Sequence, residues 1–196
     1  MIRGIDFTYN EDITAVNREQ FDAHNMLYQN YVKQYNEINE ILITNEAERQ
    51  SSNTVYSKFR CLKRGETYSL DAIIFHELYF ENMGGVKNVV PIEFISMIKN
   101  QFENFAYWRE DFIATAKASR GWAILCYEQR SNRFMNISLD AHDKGVVGMA
   151  FPIIVLDTYE HAYYLQYQND KETYFHNFLD NINWNVVLRR MQILQR

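Results

Sequence analysis

FPIIVLDTYEHAYY, residues 151–164, joins an apolar run to a polar segment that carries a histidine. Phe151 to Leu156 is short, continuous and apolar, which fits a buried strand. Asp157 ends that strand. A carboxylate there must find a cation or several donors, because burying it unpaired is costly. His161 stands four residues further on, so both side chains can converge on one point, and a metal ion would satisfy the carboxylate. Two strand-like runs lie upstream, Gly121 to Tyr127 and Arg133 to Ser138, separated by the polar turn Gln129 to Asn132, a hairpin signal. Three antiparallel strands make a small sheet.

Helical periodicity fills the rest of the chain. Phe21, Leu27, Tyr28, Tyr31, Val32, Tyr35, Ile38, Ile41 and Leu42 recur at three- and four-residue steps and predict one long helix over 14–46. The polar stretch Ala47 to Asn53 reads as a loop. A second helix includes Tyr68 to Asn82 and stops at Gly84 and Gly85. Pro91 suits a first helical turn, and the spacing of Phe94, Ile95, Ile98, Phe102, Phe105 and Phe112 extends to about Ser119 as one broken helix or two. Glu160–Gln168, Lys171–Asn181 and Trp184–Leu194 complete the set. The expected fold is α+β: an N-terminal helical hairpin over 1–88, then an α/β lobe over 89–196 with a three-stranded antiparallel sheet.

Composition agrees. Of 196 residues 47% are apolar, which excludes intrinsic disorder, and 7 Gly with 2 Pro supply few turns, so helices should dominate. With 20 Lys+Arg against 25 Asp+Glu the net charge is −5. That leaves no basic footprint for nucleic acid. The longest uncharged apolar-rich run, Val146 to Leu156, is too short to span a bilayer. Asp6, Glu11 and Asp12 stand where an export signal needs basic and apolar residues, so the expected location is the cytoplasm. Cys61 and Cys126 are far apart and do not suggest a disulfide framework.

Five histidines are weighed one by one: His24, His76, His142, His161 and His176. His76 lies inside an apolar helical face between Phe75 and Leu78. Such a histidine is more often a hydrogen-bonded core residue than a ligand, and the Asp157/His161 pair raises the ligand reading for it. His176 reads as structural or solvated. Imidazoles with one carboxylate and no thiolate suit iron or manganese. Three histidines and one aspartate leave a coordination position for solvent, which means chemistry at the metal.

The segment Leu156-Asp157-Thr158-Tyr159-Glu160-His161-Ala162-Tyr163-Tyr164 closely resembles the signature of the iron/manganese superoxide dismutases. Leu165 to Asn169, Tyr174, Asn183-Trp184 and Arg190 continue the match, with Phe75 to Phe80 and Gly121-Trp122-Ala123 upstream. The resemblance implies the two-lobed fold, one iron or manganese ion per chain, and a homodimer. It makes His76, Asp157, His161 and a first-helix histidine the ligands. It carries Glu160 to the partner subunit's His161, with Tyr164 near the same interface, and puts His142 where a Gln or His binds metal-bound solvent. Tyr31 and His142 would then orient that solvent and supply protons, and Trp122 would wall the pocket. Phe80 and Tyr159 stand where the family usually has tryptophans.

The first helix departs from the family's spacing. Counting back from Tyr31, the ligand position falls on Ala23 and the next histidine position on Leu27; His24 is one place off. Either the helix has lost a residue, as in a bulge, or His24 points away. His24, Tyr28 and Tyr31 still form a stripe on one helical face, which favours His24 as ligand and Tyr28 in place of the gateway histidine. The reading is a dismutase that converts superoxide to oxygen and hydrogen peroxide. The alternatives are a non-catalytic interaction protein of the same fold with an incomplete site, and a metal-dependent hydrolase with Glu77 as base, although Glu77 reads as helix surface. Arg190 reads either as an anion-attracting group or as an ordinary surface arginine. His142 together with Ala72 leans toward iron.

Overall fold

The computed structural model describes residues 1–86 and 89–193. Helix α1 spans Arg18–Thr44, shorter at its start than the expected 14–46. The cause is local: the Asn17 side chain accepts from the Gln20 N–H and caps the helix, while the N–H groups of Thr14 and Ala15 donate to Asn181 Oδ1. Ile13, Ala15 and Val16 therefore reach the core in a non-helical lead-in. After Asn45 comes a short helix α2, Glu46–Gln50, which runs into the segment Ala47 to Asn53 expected as loop.

Helix α3 spans Lys58–Asn82, with Ser57 capping the Arg60 N–H. Its first ten residues are mostly polar, with Phe59 and Leu62 too few to establish an apolar period, so the sequence reading starts the helix from Tyr68. Contacts between α1 and α3 run in opposite order, His24 with His76, Tyr31 with Tyr68 and Ile38 with Gly65, so the two helices form an antiparallel hairpin. The helix ends at Asn82, and the glycines that follow are required. Gly84 has φ +87°, and a Cβ on Gly85 would stand 2.0 Å from the Ile182 carbonyl oxygen. The N-terminal residues lie along α1 through Ile2 with Asn36, Ile5 with Tyr28 and Phe7 with Asn25.

Helices α4, Ile92–Phe102, and α5, Phe105–Ala118, are two and not one. Glu103 turns at φ 60° and Asn104 caps Tyr107. Strands β1 (Trp122–Glu128), β2 (Arg133–Leu139) and β3 (Ala150–Asp157) form an antiparallel sheet in the order β2-β1-β3. Pro152 is tolerated because β3 is an edge strand. The register pairs Trp122 with Asp157 and thereby seats the indole beside the carboxylate.

The expected helix 160–168 is a 3₁₀ turn, Glu160–Ala162, followed by the single turn α6, Tyr164–Tyr167. Tyr163 leaves the helical region between them, and Gln168 at φ 51° stops the second. Helices α7, Lys171–Asp180, and α8, Trp184–Ile193, follow. Leu194, and Lys87 with Asn88 at the expected 88/89 boundary, lie outside the described residues. Among the described residues no helix is long and apolar enough to cross a membrane. Cys61 is free and exposed, Cys126 free and buried.

One polar seam joins α3 to β3 and α8. Asn82 Oδ1 accepts from the Val155 N–H and from Arg190 Nη1, while the Asn82 carbonyl accepts from the Asn183 N–H. Arg190 also donates to the carbonyls of Ile153 and Leu78 and to Glu81. It is 6% exposed. Both sequence readings of Arg190 are thereby corrected: it neither lies on the surface nor attracts an anion, because its donors are spent on the fold.

Candidate metal centre

His24 and His76 come from facing positions of α1 and α3, Asp157 from the end of β3 and His161 from the 3₁₀ turn. Their ligand-type atoms all lie within 4.8 Å of one another. Asp157 Oδ2 is the common point, 3.1 Å from Nε2 of His24, 3.1 Å from Nε2 of His161 and 3.7 Å from Nε2 of His76. His76 and Asp157 are fully buried and His24 nearly so, whereas the His161 side chain is 30% exposed and gives the centre its edge. Helix α1 runs unbroken past His24, so no bulge resets the register. His24 and Tyr31, seven residues apart, share a face because two turns nearly close the circle.

Protonation follows from the partners. His76 Nδ1 lies 2.6 Å from the Ala72 carbonyl, which can only accept, so the proton is on Nδ1 and Nε2 presents a lone pair. That Nε2 is buried and has no hydrogen-bond partner. An unpaired buried acceptor is costly, and a cation at the centre would relieve it. Burial opposes charging of both His76 and His24 and holds their pKa values low. For Asp157, burial alone would raise the pKa; the imidazoles of His161 and His24 overcome it and keep the carboxylate ionised. Three imidazole nitrogens around one carboxylate are a donor set for a divalent or trivalent transition ion.

Supporting groups fix these side chains. Tyr174 donates to the Asp157 carbonyl, and the Tyr159 N–H donates to Asp157 Oδ1. Gln20, buried one turn before His24, donates to the His161 carbonyl and accepts from the Leu165 N–H. Sequence reasoning missed Gln20; its signal was a polar residue four before His24 on the apolar face.

A second layer lies against the cluster. The Trp122 indole N–H donates to His142 Nδ1 at 2.9 Å, and an indole nitrogen can only donate. His142 Nδ1 is therefore unprotonated. Burial pushes the pKa of His142 down to about 4, so the ring is neutral with its proton on Nε2, which donates to the Tyr31 hydroxyl oxygen at 3.1 Å. The Tyr31 proton then points away from His142. Burial, and next the neighbouring Tyr68, push the Tyr31 pKa up and keep that proton in place. Tyr68 was not singled out from sequence, yet its ring is 4.7 Å from His142 and 6.3 Å from Tyr31. Trp122 meets His76 edge to face at 5.1 Å; Phe80 lies 5.1 Å from His24, and Tyr159 stacks 5.0 Å from His161.

Tyr28 is fully buried beneath the N-terminal residues. Its hydroxyl donates to Glu77 at 2.7 Å and accepts from the Ile5 N–H. Glu77 is thereby a half-buried partner of Tyr28 and not the free surface carboxylate expected. Glu160 and Tyr164 are exposed, and His176 accepts from Arg109 away from the cluster.

Residues 91–190 match the profile described as iron/manganese superoxide dismutases, C-terminal domain. The chain belongs to this family. Superoxide dismutase (Fe) of Aquifex aeolicus (strain VF5) is 37% identical over 185 residues, 93% of this chain and 87% of that protein. Its namesake from Aquifex pyrophilus aligns with the same identity and coverage. Superoxide dismutase (Mn) 1 of Halobacterium salinarum is 28% identical over 170 residues, 86% of this chain and 82% of that protein. The relatives thus include both metal types of the superoxide dismutase family, in keeping with a donor set that suits either ion.

Proposed function

We propose that this chain is a superoxide dismutase that takes two superoxide ions and two protons to one oxygen and one hydrogen peroxide. One iron or manganese ion, held by His24, His76, Asp157 and His161, supplies the chemistry by alternating between its 3+ and 2+ states. The observation that carries this is the convergence of three imidazole nitrogens on one buried carboxylate oxygen, with His76 Nε2 left unpartnered. The non-catalytic alternative required His24 to point away from that cluster, and it faces Asp157.

The chain's own residues do the rest. Trp122 sets the tautomer of His142, His142 holds the Tyr31 oxygen, and Tyr31 keeps a proton for the peroxide product. Such outer groups set ligand orientation and redox potential. Phe80, Trp122 and Tyr159 form an aromatic wall that limits access to small reactants and strengthens the local electrostatics. Tyr28, tied to Glu77, buttresses His76 and Phe80.

The finer reading is a cytoplasmic homodimer with lobes over 1–88 and 89–196. Exposed Glu160 beside His161, with Tyr164 48% and Leu165 57% exposed, supports a covered face there, where Glu160 would meet the partner subunit's His161. Unpaired Cys61 and Cys126 accord with a reducing compartment.

Elemental analysis of protein purified without chelator, with a superoxide assay on the same sample, tests the proposal. About one iron or manganese ion per chain is expected, with metal and activity both lost in His24→Ala. No metal and no activity after reconstitution with either ion would overturn it.

A further inference from the structure

We propose that a cleft next to the metal centre is a separate binding site for a phosphate-bearing small molecule. The cleft encloses about 490 Å³ between the first turns of α3 and the loop that follows β2. Arg60, Arg64 and Lys144 line it with Tyr56, Tyr68 and Asp143. Superoxide would fill only a small part of this volume, which lies within the roughly 300–1,000 Å³ range of small-molecule sites.

Charge sets the sign of the occupant. Three cations against one carboxylate leave a positive surplus, although the chain as a whole carries −5. None of the three has an ion-pair partner among the described residues. By contrast Lys58 and Lys63, beside them on α3, pair with Glu48 and Glu66. Arg60 and Arg64 are four residues apart, so two like charges sit on one helical face and repel. An anion between them turns that repulsion into attraction.

Residue type narrows the anion. Two planar guanidinium forks on one face, with an ammonium across the cleft, match a tetrahedral oxyanion that offers several acceptors. Tyr56, 86% exposed, and Tyr68 supply ring faces for a flat group attached to that phosphate. Ser57 does not contribute a free hydroxyl, because it caps Arg60 and donates to the Asn53 carbonyl. Tyr68 also packs on His142 and Tyr31, so an occupant is sensed at the metal centre. Binding itself does not depend on the metal or on dismutase activity.

Isothermal titration calorimetry on the full chain, metal-loaded and metal-free, with inorganic phosphate, pyrophosphate and AMP, tests this. Binding is expected in both forms and should weaken as salt is raised. Arg60→Ala/Arg64→Ala should weaken it about 100-fold and Lys144→Ala about tenfold, since each removes a charge-assisted contact. All these side chains are exposed, so the variants should keep the parent melting temperature. AMP binding tighter than phosphate assigns the rings a share; equal binding assigns recognition to the oxyanion alone. No binding by any of the three at millimolar concentration, or binding unchanged in the double variant, overturns the proposal. The metal-free arm keeps this result distinct from failure of the dismutase reading.

Discussion

Trp122→Phe removes one donor beside the metal centre and leaves an aromatic ring in place. In the parent protein the indole N–H satisfies His142 Nδ1 at 2.9 Å, and both rings are fully buried. The variant strands that nitrogen. A buried acceptor without a donor costs about 1–3 kcal/mol, so a loss of about 2 kcal/mol is expected. For a chain of this size that corresponds to a melting temperature lower by about 4–8 °C. The same change releases the tautomer: with no donor on Nδ1 the His142 proton can sit on either nitrogen, and Tyr31 no longer receives a fixed hydrogen bond. Nitrogen-15 NMR of the metal-free protein at neutral pH should find His142 with its proton on Nε2 alone in the parent and on both nitrogens in the variant. A parent His142 protonated on Nδ1, or an identical tautomer ratio in Trp122→Phe, would refute the donor chain from Trp122 to Tyr31.

Asp157→Asn removes the negative charge on which the three imidazoles converge, and metal retention after dialysis should fall by more than the roughly 10–100-fold seen when an outer partner is lost; full retention would remove Asp157 from the ligand set. Asp71 is pushed up to about 6 by burial and then by Asp143. The folded state therefore holds its proton more tightly than the unfolded chain does, and stability falls as pH rises from about 4 to about 6. Asp71→Asn should be more stable than the parent by about 1 kcal/mol at pH 7.5, after allowance for solvent screening, with no gain below pH 4; urea midpoints that shift equally at both pH values contradict this. Arg190→Ala removes the bonds donated to Asn82 Oδ1, to the carbonyls of Ile153 and Leu78 and to Glu81, and should cost about 3 kcal/mol in urea unfolding. An unchanged midpoint would mean that the seam carries no stability.

Asp157 and His161 were legible because a carboxylate closing an apolar strand, four residues before a histidine, is a local pattern with few physical solutions. The sheet and the later helix boundaries were legible for similar reasons. The first half of α3 was not: a helix solvated on most sides needs few apolar positions, and Phe59 with Leu62 is too short a pattern to read. The segment after Asp157 misled in the opposite way, since its apolar spacing looks helical while Tyr163 and Gln168 adopt backbone angles that break it. Arg190 could not be read as buried, because its partners are mostly backbone carbonyls brought in from distant elements. The same is true of Tyr68 and Gln20, whose neighbours are set by helix pairing. For His24, spacing alone left two outcomes open, and only the seating of α1 against α3 aims it at Asp157.

Asn82 and Arg190 clamp together the two elements that carry His76 and Asp157. With those two side chains sealed from solvent, the cage is largely assembled before any ion enters it, and little ordering remains to be done on capture. For an ion held there, departure past His76 and Asp157 would be correspondingly slow, because on that side it requires α3 and β3 to part, an opening of the sub-global kind. Metal content is then a record of supply. The ion present when the chain closes is retained until the clamp reopens, so protein from iron-fed and manganese-fed cells should keep its difference through dialysis against the other metal.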